Sequence, residues 1–132
     1  MRLLLDTHVL LWWLNDSGRL SAAQREALGR AGEESPLLVS HISLWEMAIL
    51  HNLDRIRLTM PLREWLSKAV APPPVRTQGI SPAIATEVAA LPDSFHRDPA
   101  DRIIVATARV LGATLLTQDR RIVGSGLVDT LS

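Results

Sequence analysis

Short, mostly apolar runs without alternating polar positions recur along the chain, at Leu3–Leu5, Leu37–Val39 and Thr114–Thr117. Such runs are typical of strands whose two faces are both covered, as in a parallel sheet. Two shorter candidate strands lie at Val75–Thr77 and Leu127–Asp129. The pattern therefore predicts a largely parallel β-sheet at the centre of the molecule.

Apolar residues at helical spacing fill the segments between these runs. Serine can cap two of the predicted helices, one from Ser21 to about Ala31 and one that begins at Ser43. Proline near the first helical position marks three further starts, at Met60-Pro61, Ser81-Pro82 and Asp98-Pro99. The alternation of strand and helix predicts an α/β fold, a three-layer sandwich with a central, largely parallel sheet flanked by helices.

The length and composition narrow the class of protein. A chain of 132 residues can bury one core but not two, so we expect a single domain over residues 1–132. The absence of cysteine excludes disulfides and thiolate metal ligands. The apolar run Val9–Leu14 is far shorter than the ~20 residues of a membrane helix, and no signal-peptide cleavage site follows it. We therefore expect a cytoplasmic protein that is not bound to a membrane.

Four carboxylates follow the predicted strands or begin the predicted helices. Asp6 ends the first strand, and Asp119 lies two residues beyond Thr117. Glu46 and Asp101 fall in the first turns of the helices predicted from Ser43 and Pro99. Because parallel sheets bind ligands beyond the carboxyl ends of their strands, we expect all four acids at one edge of the sheet.

Four carboxylates at one edge repel one another. At 4 Å and an effective dielectric constant near 20, each close pair costs about 4 kcal/mol, so cations are expected between them. Oxygen ligands without cysteine or paired histidine favour Mg²⁺ or Mn²⁺, which activate water and neutralise charge on a phosphoryl group.

The chain has fourteen basic and fourteen acidic residues, a net charge of zero that gives no sign of a nucleic-acid partner. Setting the four acids aside as metal ligands leaves fourteen basic against ten acidic residues, a balance of +4. The metal-loaded protein would therefore be mildly basic, and its affinity for RNA should fall when metal is withheld.

Three of the four acids also have a structural interpretation. Glu46 and Asp101 lie three residues after Ser43 and Asp98, the spacing of a helix capping box, and Asp119 could be a turn residue. Only Asp6, directly after three leucines, shows no capping role in the sequence. The functional interpretation therefore depends on the coincidence of all four acids at one edge.

Four segments, in their order and spacing, carry a family resemblance: Leu3–His8, Ser43–Glu46, Asp98–Ala108 and Leu115–Asp119. Together they resemble the PIN-domain ribonucleases and, among these, the VapC toxins of bacterial toxin–antitoxin modules. The resemblance covers essentially the whole chain. It implies a magnesium- or manganese-dependent endoribonuclease that cleaves RNA phosphodiester bonds with a water activated by the metal.

The resemblance also implies roles for individual residues. The catalytic and metal-binding acids fall on Asp6, Glu46, Asp101 and Asp119. Asp101 fits the register of the family's third acid better than Asp98 does. Asp98 would instead cap the helix, or would hold metal or water from outside the layer of direct metal ligands. Hydroxyl groups beside the acids could orient a carboxylate or phosphate, or could simply cap helices; they belong to Thr7, Ser43 and Thr117.

Arginines near the third and fourth acids could bind RNA phosphates or balance the aspartates. They are Arg97, Arg102, Arg120 and Arg121. The histidines form no metal-binding pair, and we interpret most of them as surface or packing residues. Only His8, near Asp6, and His41, before Ser43, lie close to a candidate site residue in the sequence.

The helix predicted from Thr7 to Leu14 is apolar on nearly every side, so it should be covered on two faces. Trp12 and Trp13 point about 100° apart on it, which favours an interface, whereas Trp45 and Trp65 are expected in the core. The resemblance suggests two partners for the interface, a second copy in a homodimer and a VapB-like antitoxin.

Two other classes of protein compete with the nuclease. A non-catalytic PIN-fold protein could act by binding alone, although the presence of all four acids argues against it. A magnesium-dependent phosphoacceptor domain needs adjacent acids after its first strand and a lysine after its last, but Thr7 follows Asp6 and the only lysine is Lys68.

Overall fold

The computed structural model describes residues 2–71 and 73–132. Within them, the strands are β1 (Leu3–Leu5), β2 (Leu37–Ser40), β3 (Val75–Gln78), β4 (Thr114–Leu116) and β5 (Thr130–Leu131). The helices are α1 (Thr7–Leu14), α2 (Ala22–Gly29), α3 (His41–Asn52), α4 (Leu62–Ala69), α5 (Pro82–Ala90), α6 (Pro99–Leu111) and α7 (Arg120–Val123).

All strand pairings in the described sheet are parallel, and the strand order is β3-β2-β1-β4-β5. The chain moves outward from β1 through β2 to β3 and then returns to the other side of β1 with β4. Open parallel sheets bind ligands at such a reversal of strand order, beyond the carboxyl ends of the strands. Asp6 and Thr117 lie at this point, directly after β1 and β4.

Apolar cores cover both faces of the sheet. Leu3 and Leu5 of β1 join one core with α1, whereas Leu4 joins the other with Ile104 of α6. The three leucines divide in this way because successive residues of a strand point to opposite faces. The arrangement confirms the predicted three-layer α/β sandwich and explains why β1, at the centre of the sheet, is apolar without alternation.

Several predicted helix boundaries are confirmed. The side chains of Ser21, Ser81 and Asp98 cap α2, α5 and α6, and Gly112 ends α6 with a φ of 61°. A left-handed residue of this kind is most easily glycine, which has no Cβ to clash. In the described ranges 2–71 and 73–132, no helix is long and apolar enough to cross a membrane.

Three other predictions were wrong in position. Ser40, not Ser43, caps α3, because β2 runs to Ser40 and the helix begins at the next residue. Ser43 is fully buried within the helix, and Glu46 therefore lies in its second turn rather than its first. The last strand lies just beyond Leu127–Asp129, at Thr130–Leu131.

Candidate active site

Asp6 is held at the end of β1 by two hydrogen bonds. The backbone N–H of Thr7 donates to Oδ1 at 2.8 Å, and the hydroxyl of Thr117 donates to Oδ2 at 2.7 Å. Asp6 is thus the N-cap of α1, a capping role that the sequence did not reveal. Its side chain is almost fully buried, and both oxygens are oriented before any ligand arrives.

Glu46 projects from α3 toward the same edge of the sheet. The hydroxyl of Thr7 donates to the hydroxyl of Ser43 at 2.8 Å, and both residues are fully buried. This hydrogen bond joins the start of α1 to α3 one turn before Glu46, so it sets the position of Glu46 relative to Asp6. Among the described residues, the buried Oε1 of Glu46 has no hydrogen-bond partner.

Asp98 and Asp101 approach Glu46 from the start of α6. One carboxylate oxygen from each of these three residues lies within 4.8 Å of the others, a spacing that could hold a metal ion. The Oδ1 atom of Asp98 accepts a hydrogen bond from the backbone N–H of Asp101 at 3.1 Å. Asp98 is therefore both the predicted cap and a member of the acidic cluster.

His96 contacts Asp101 directly, which the sequence interpretation missed. Its Nε2 lies 2.6 Å from Oδ2 of Asp101, and its side chain is only 16% exposed. The contact spans five residues across the start of α6, a separation that belongs to no metal-binding motif of histidine. The sequence offered one signal for this contact: a histidine just before the two aspartates at the start of the predicted helix.

Asp119 completes the set from the loop after β4. Its backbone N–H donates to the Thr117 hydroxyl at 3.1 Å, so one threonine connects Asp6 to Asp119. Its carboxylate caps α7 and pairs with Arg121, whose Nη2 lies 3.2 Å from Oδ2 of Asp119 and 3.9 Å from Oδ2 of Asp101. A cation of the chain itself thus partly balances the acids.

The pKa values reflect this crowding. Burial raises the pKa of Asp6, and the charge of Asp101 adds to the effect. Burial also raises the pKa values of Glu46 and Asp101, the latter with help from Asp98 and Asp119 and against the hydrogen bond from His96. Partial burial would raise the pKa of Asp119 too, but Arg121 outweighs it and holds that pKa below its usual value.

All five acids line one cavity of about 370 Å³, which we call the acidic cavity. Its other lining residues are His8, Val9, Trp12, Gln118 and Arg121. The described fold thus places Asp6, Glu46, Asp98, Asp101 and Asp119 together, at the point where the strand order reverses.

The candidate arginines have different surroundings. Arg102 donates to the backbone oxygens of Phe95, His96 and Leu91, so it holds the loop before α6 rather than facing the cavity. Arg97 is exposed beside Asp93. Arg120 is also exposed, and in the described part of the chain its side chain makes no hydrogen bond or ion pair.

The tryptophans divide differently from the expectation. Trp12 and Trp13 both pack against the core, and Trp12 also lines the acidic cavity, where the Arg19 guanidinium lies 6.0 Å from its ring centroid. Trp65 packs against the same core as predicted. The core prediction for Trp45 was wrong, because this side chain is 52% exposed on α3.

The fold and the acid-lined cavity agree with the comparison to known families. The family model described as PIN domain matches residues 3–123, and the chain belongs to that family. It is 45% identical to Ribonuclease VapC22 of Mycobacterium tuberculosis over 119 residues, which cover 90% of this chain and 88% of the relative. The resemblance to VapC-type PIN proteins is therefore confirmed.

Solved structures show the same fold at low sequence identity. VapBC2 from Rickettsia felis, bound to a DNA fragment from its promoter, has a TM-score of 0.73 at 14% identity and covers 99% of this chain and 98% of its own. VapBC-1 from nontypeable Haemophilus influenzae has a TM-score of 0.71 at 15% identity and covers 100% of this chain and 98% of its own.

Proposed function

We propose that this chain is a metal-dependent endoribonuclease and the toxin of a toxin–antitoxin pair. The observation that carries the proposal is the acidic cavity, in which five carboxylates from four separate segments converge. The similarity to a VapC ribonuclease along 90% of the chain supports RNA as the substrate. Because its substrate would be cellular RNA, we place this activity in the cytoplasm, with residues 1–132 acting as one domain.

The residues of the cavity fit a hard divalent cation such as Mg²⁺ or Mn²⁺. The donors are oxygen atoms, the ligands that these ions prefer. Oε1 of Glu46 is buried without a partner among the described residues, and a buried polar atom of this kind is costly unless something binds it. Glu46, Asp98 and Asp101 would hold the ion, and Asp6 and Asp119, which line the same cavity, would supply further oxygen ligands.

A bound divalent ion would lower the pKa of a water molecule and neutralise charge on the phosphate. The chain contributes orientation. Thr7 and Thr117 fix both oxygens of Asp6, and His96 fixes one oxygen of Asp101. Arg121, at the mouth of the cavity, is placed to exchange its contact with Asp119 for one with an RNA phosphate.

The test is digestion of a mixed RNA pool by the purified protein, followed by sequencing of the new ends. Cleavage at defined sites is expected with Mg²⁺ or Mn²⁺ and should stop on addition of EDTA. Glu46→Gln should abolish it, whereas Glu33→Gln, the same change at an exposed acid that does not line the cavity, should not. Metal-independent cleavage, or equal cleavage by both variants, would contradict the proposal. No cleavage with retained partner binding would favour a non-catalytic PIN-fold protein.

We propose a VapB-like antitoxin and a second copy of the chain as protein partners. The support is the similarity to VapBC structures, together with apolar side chains exposed on α3 and at its C-cap. Trp45, Ile49 and Leu53 are 52%, 39% and 56% exposed and recur every fourth residue, so they form one stripe. Trp12 and Trp13 remain predicted interface residues, although Trp12 also lines the cavity.

Sedimentation and co-purification can separate these surfaces. We expect Trp45→Ser with Leu53→Ser to weaken self-association or antitoxin binding while leaving RNA cleavage by the free protein intact. Trp12→Ala should weaken antitoxin binding more than it weakens cleavage, if a segment of the antitoxin crosses the cavity mouth. Unchanged sedimentation and co-purification of both variants would exclude these surfaces.

A further inference from the structure

A second cavity of about 400 Å³ adjoins the acidic cavity, and its chemistry is different. Its walls include Pro92, Ser94, Phe95, Arg120, Arg121 and Ser125, and we call it the arginine cleft. Two arginines and, among the described residues, no carboxylate line it. A cleft of this size can hold a small polar ligand, and its charge favours an anion.

Two residues connect the arginine cleft to the acidic cavity. Arg121 lines both, and His96, which also lines the cleft, contacts Asp101 of the acidic cavity at 2.6 Å. A polymeric ligand whose reacting phosphate lies at the acids would therefore place its next monomer in the arginine cleft.

The walls of the cleft match the parts of a nucleotide. Arg120 is exposed and makes no side-chain hydrogen bond or ion pair in the described part of the chain, so its guanidinium is available to a phosphate. Pro92 and Leu127 offer apolar surface for a base or ribose, and the exposed hydroxyl of Ser94 offers a polar partner for the sugar.

We propose that the arginine cleft binds the nucleotide of single-stranded RNA next to the scissile phosphate, with its outer phosphate on Arg120. The proposal rests on the proposed ribonuclease function and assigns a substrate subsite to it. It gives a chain with zero net charge a local positive surface for RNA, because two arginines line the cleft beside the acidic cavity.

Binding of a short single-stranded RNA, followed by fluorescence anisotropy in Mg²⁺ at several salt concentrations, tests the subsite. All proteins carry Asp6→Asn, so that the RNA stays intact. Arg120→Ala should weaken binding about five- to tenfold and reduce the slope of log affinity against log salt by about 0.7, the value for one phosphate contact to a single strand. Arg63→Ala, at an exposed arginine that lines neither cavity, is the matched control.

A second pair of variants tests the cleft without removing an arginine. Ser94→Glu places a negative charge at the cleft and should weaken RNA binding at least as much as Arg120→Ala, whereas Ser94→Ala removes only a neutral hydroxyl and should weaken it less. If Arg120→Ala binds RNA as tightly as Arg63→Ala, and Ser94→Glu as tightly as Ser94→Ala, the RNA does not pass through the cleft. The nuclease proposal then survives, provided that the protein without Asp6→Asn cleaves RNA. If that protein neither binds nor cleaves RNA, both proposals fail together.

Discussion

His96 and Asp101 form a partly buried hydrogen bond, with Nε2 of the histidine 2.6 Å from Oδ2 of the aspartate. The imidazole is fixed from two sides. The His96 ring packs on the Phe95 ring at a centroid distance of 4.4 Å. The backbone oxygen of His96 accepts a hydrogen bond from Arg102. The contact opposes the effect of burial on the pKa of Asp101, so His96 helps to keep that carboxylate ionised.

His96→Ala should therefore weaken metal binding. Without the imidazole, Asp101 loses a partner that orients it and lowers its pKa, and loss of such an outer partner typically costs about 10- to 100-fold in metal affinity. Isothermal titration with Mg²⁺ at neutral pH would measure the change. His41→Ala, at an exposed histidine on α3 outside the acidic cavity, is the control and should bind Mg²⁺ normally. Equal affinity of the two variants would mean that His96 only fills space.

Asp6→Asn should abolish RNA cleavage and leave the folded protein at least as stable. The asparagine amide keeps an oxygen that accepts from the Thr7 N–H. The change also removes the negative charge of a buried carboxylate, whose pKa is raised by burial. Cleavage assays and the thermal unfolding midpoint measure the two effects. Asp16→Asn makes the same change at an exposed residue and should retain full activity. A variant at Asp6 that still cleaves RNA would remove this residue from the catalytic set.

The sheet and the position of its acids could be predicted because each follows from a local pattern. Strands buried on both faces lack polar residues, and Asp6 comes directly after such a run. The cap of α3 could not be predicted, because Ser40 and Ser43 are equally good caps in isolation. Pairing of β2 with β3 extends β2 to Ser40, and this long-range interaction decides where the helix begins.

The surroundings of His96 and Trp45 could not be predicted either, because they also depend on interactions between residues that are distant in the sequence or on different elements. His96 lies on the loop before α6, which Arg102 holds in place through three backbone oxygens. Helix α3 has apolar residues on several faces, so its sequence does not show which face is covered. The structure buries Met47 and leaves Trp45 exposed, in contrast to the expected core position of Trp45.

Arg121→Ala should tighten Mg²⁺ binding and weaken RNA binding. The guanidinium lies 3.2 Å from Asp119 and 3.9 Å from Asp101, so it competes with a metal for both carboxylates. Because the pair is exposed to water, the gain in Mg²⁺ affinity should be modest, about two- to fivefold. Titration calorimetry and RNA anisotropy provide the two measurements, with Arg63→Ala as the control. Weaker Mg²⁺ binding by the variant would contradict the competition.

The metal-free protein should become more stable as the pH falls from neutral toward the ordinary carboxyl pKa. Asp6, Glu46 and Asp101 have raised pKa values, so the folded state holds protons that the unfolded state has released. Each proton relieves repulsion, and the gain ends near the ordinary carboxyl pKa. Asp119, whose pKa is lowered, should cost stability only at lower pH.

Thermal unfolding in EDTA and in Mg²⁺ over this range measures the effect. With saturating Mg²⁺ the trend should reverse, because protons then compete with the metal for the same oxygens. Asp6→Asn should flatten the EDTA curve. Parallel curves in EDTA and Mg²⁺ would show that the metal does not bind to these carboxylates.

Arg102→Ala should act on stability and not on contact with RNA. Its guanidinium donates to the backbone oxygens of Phe95 at 3.0 Å and His96 at 3.2 Å, and it lies 5.9 Å from the Phe95 ring. Loss of these hydrogen bonds should cost about 2 kcal/mol and lower the Tm by about 8 °C. The salt dependence of RNA binding should stay unchanged, because no phosphate contact is removed. A lower salt slope with an unchanged Tm would instead make Arg102 a phosphate ligand. Arg63→Ala, at an exposed arginine that lines neither cavity, shows the effect of losing charge alone.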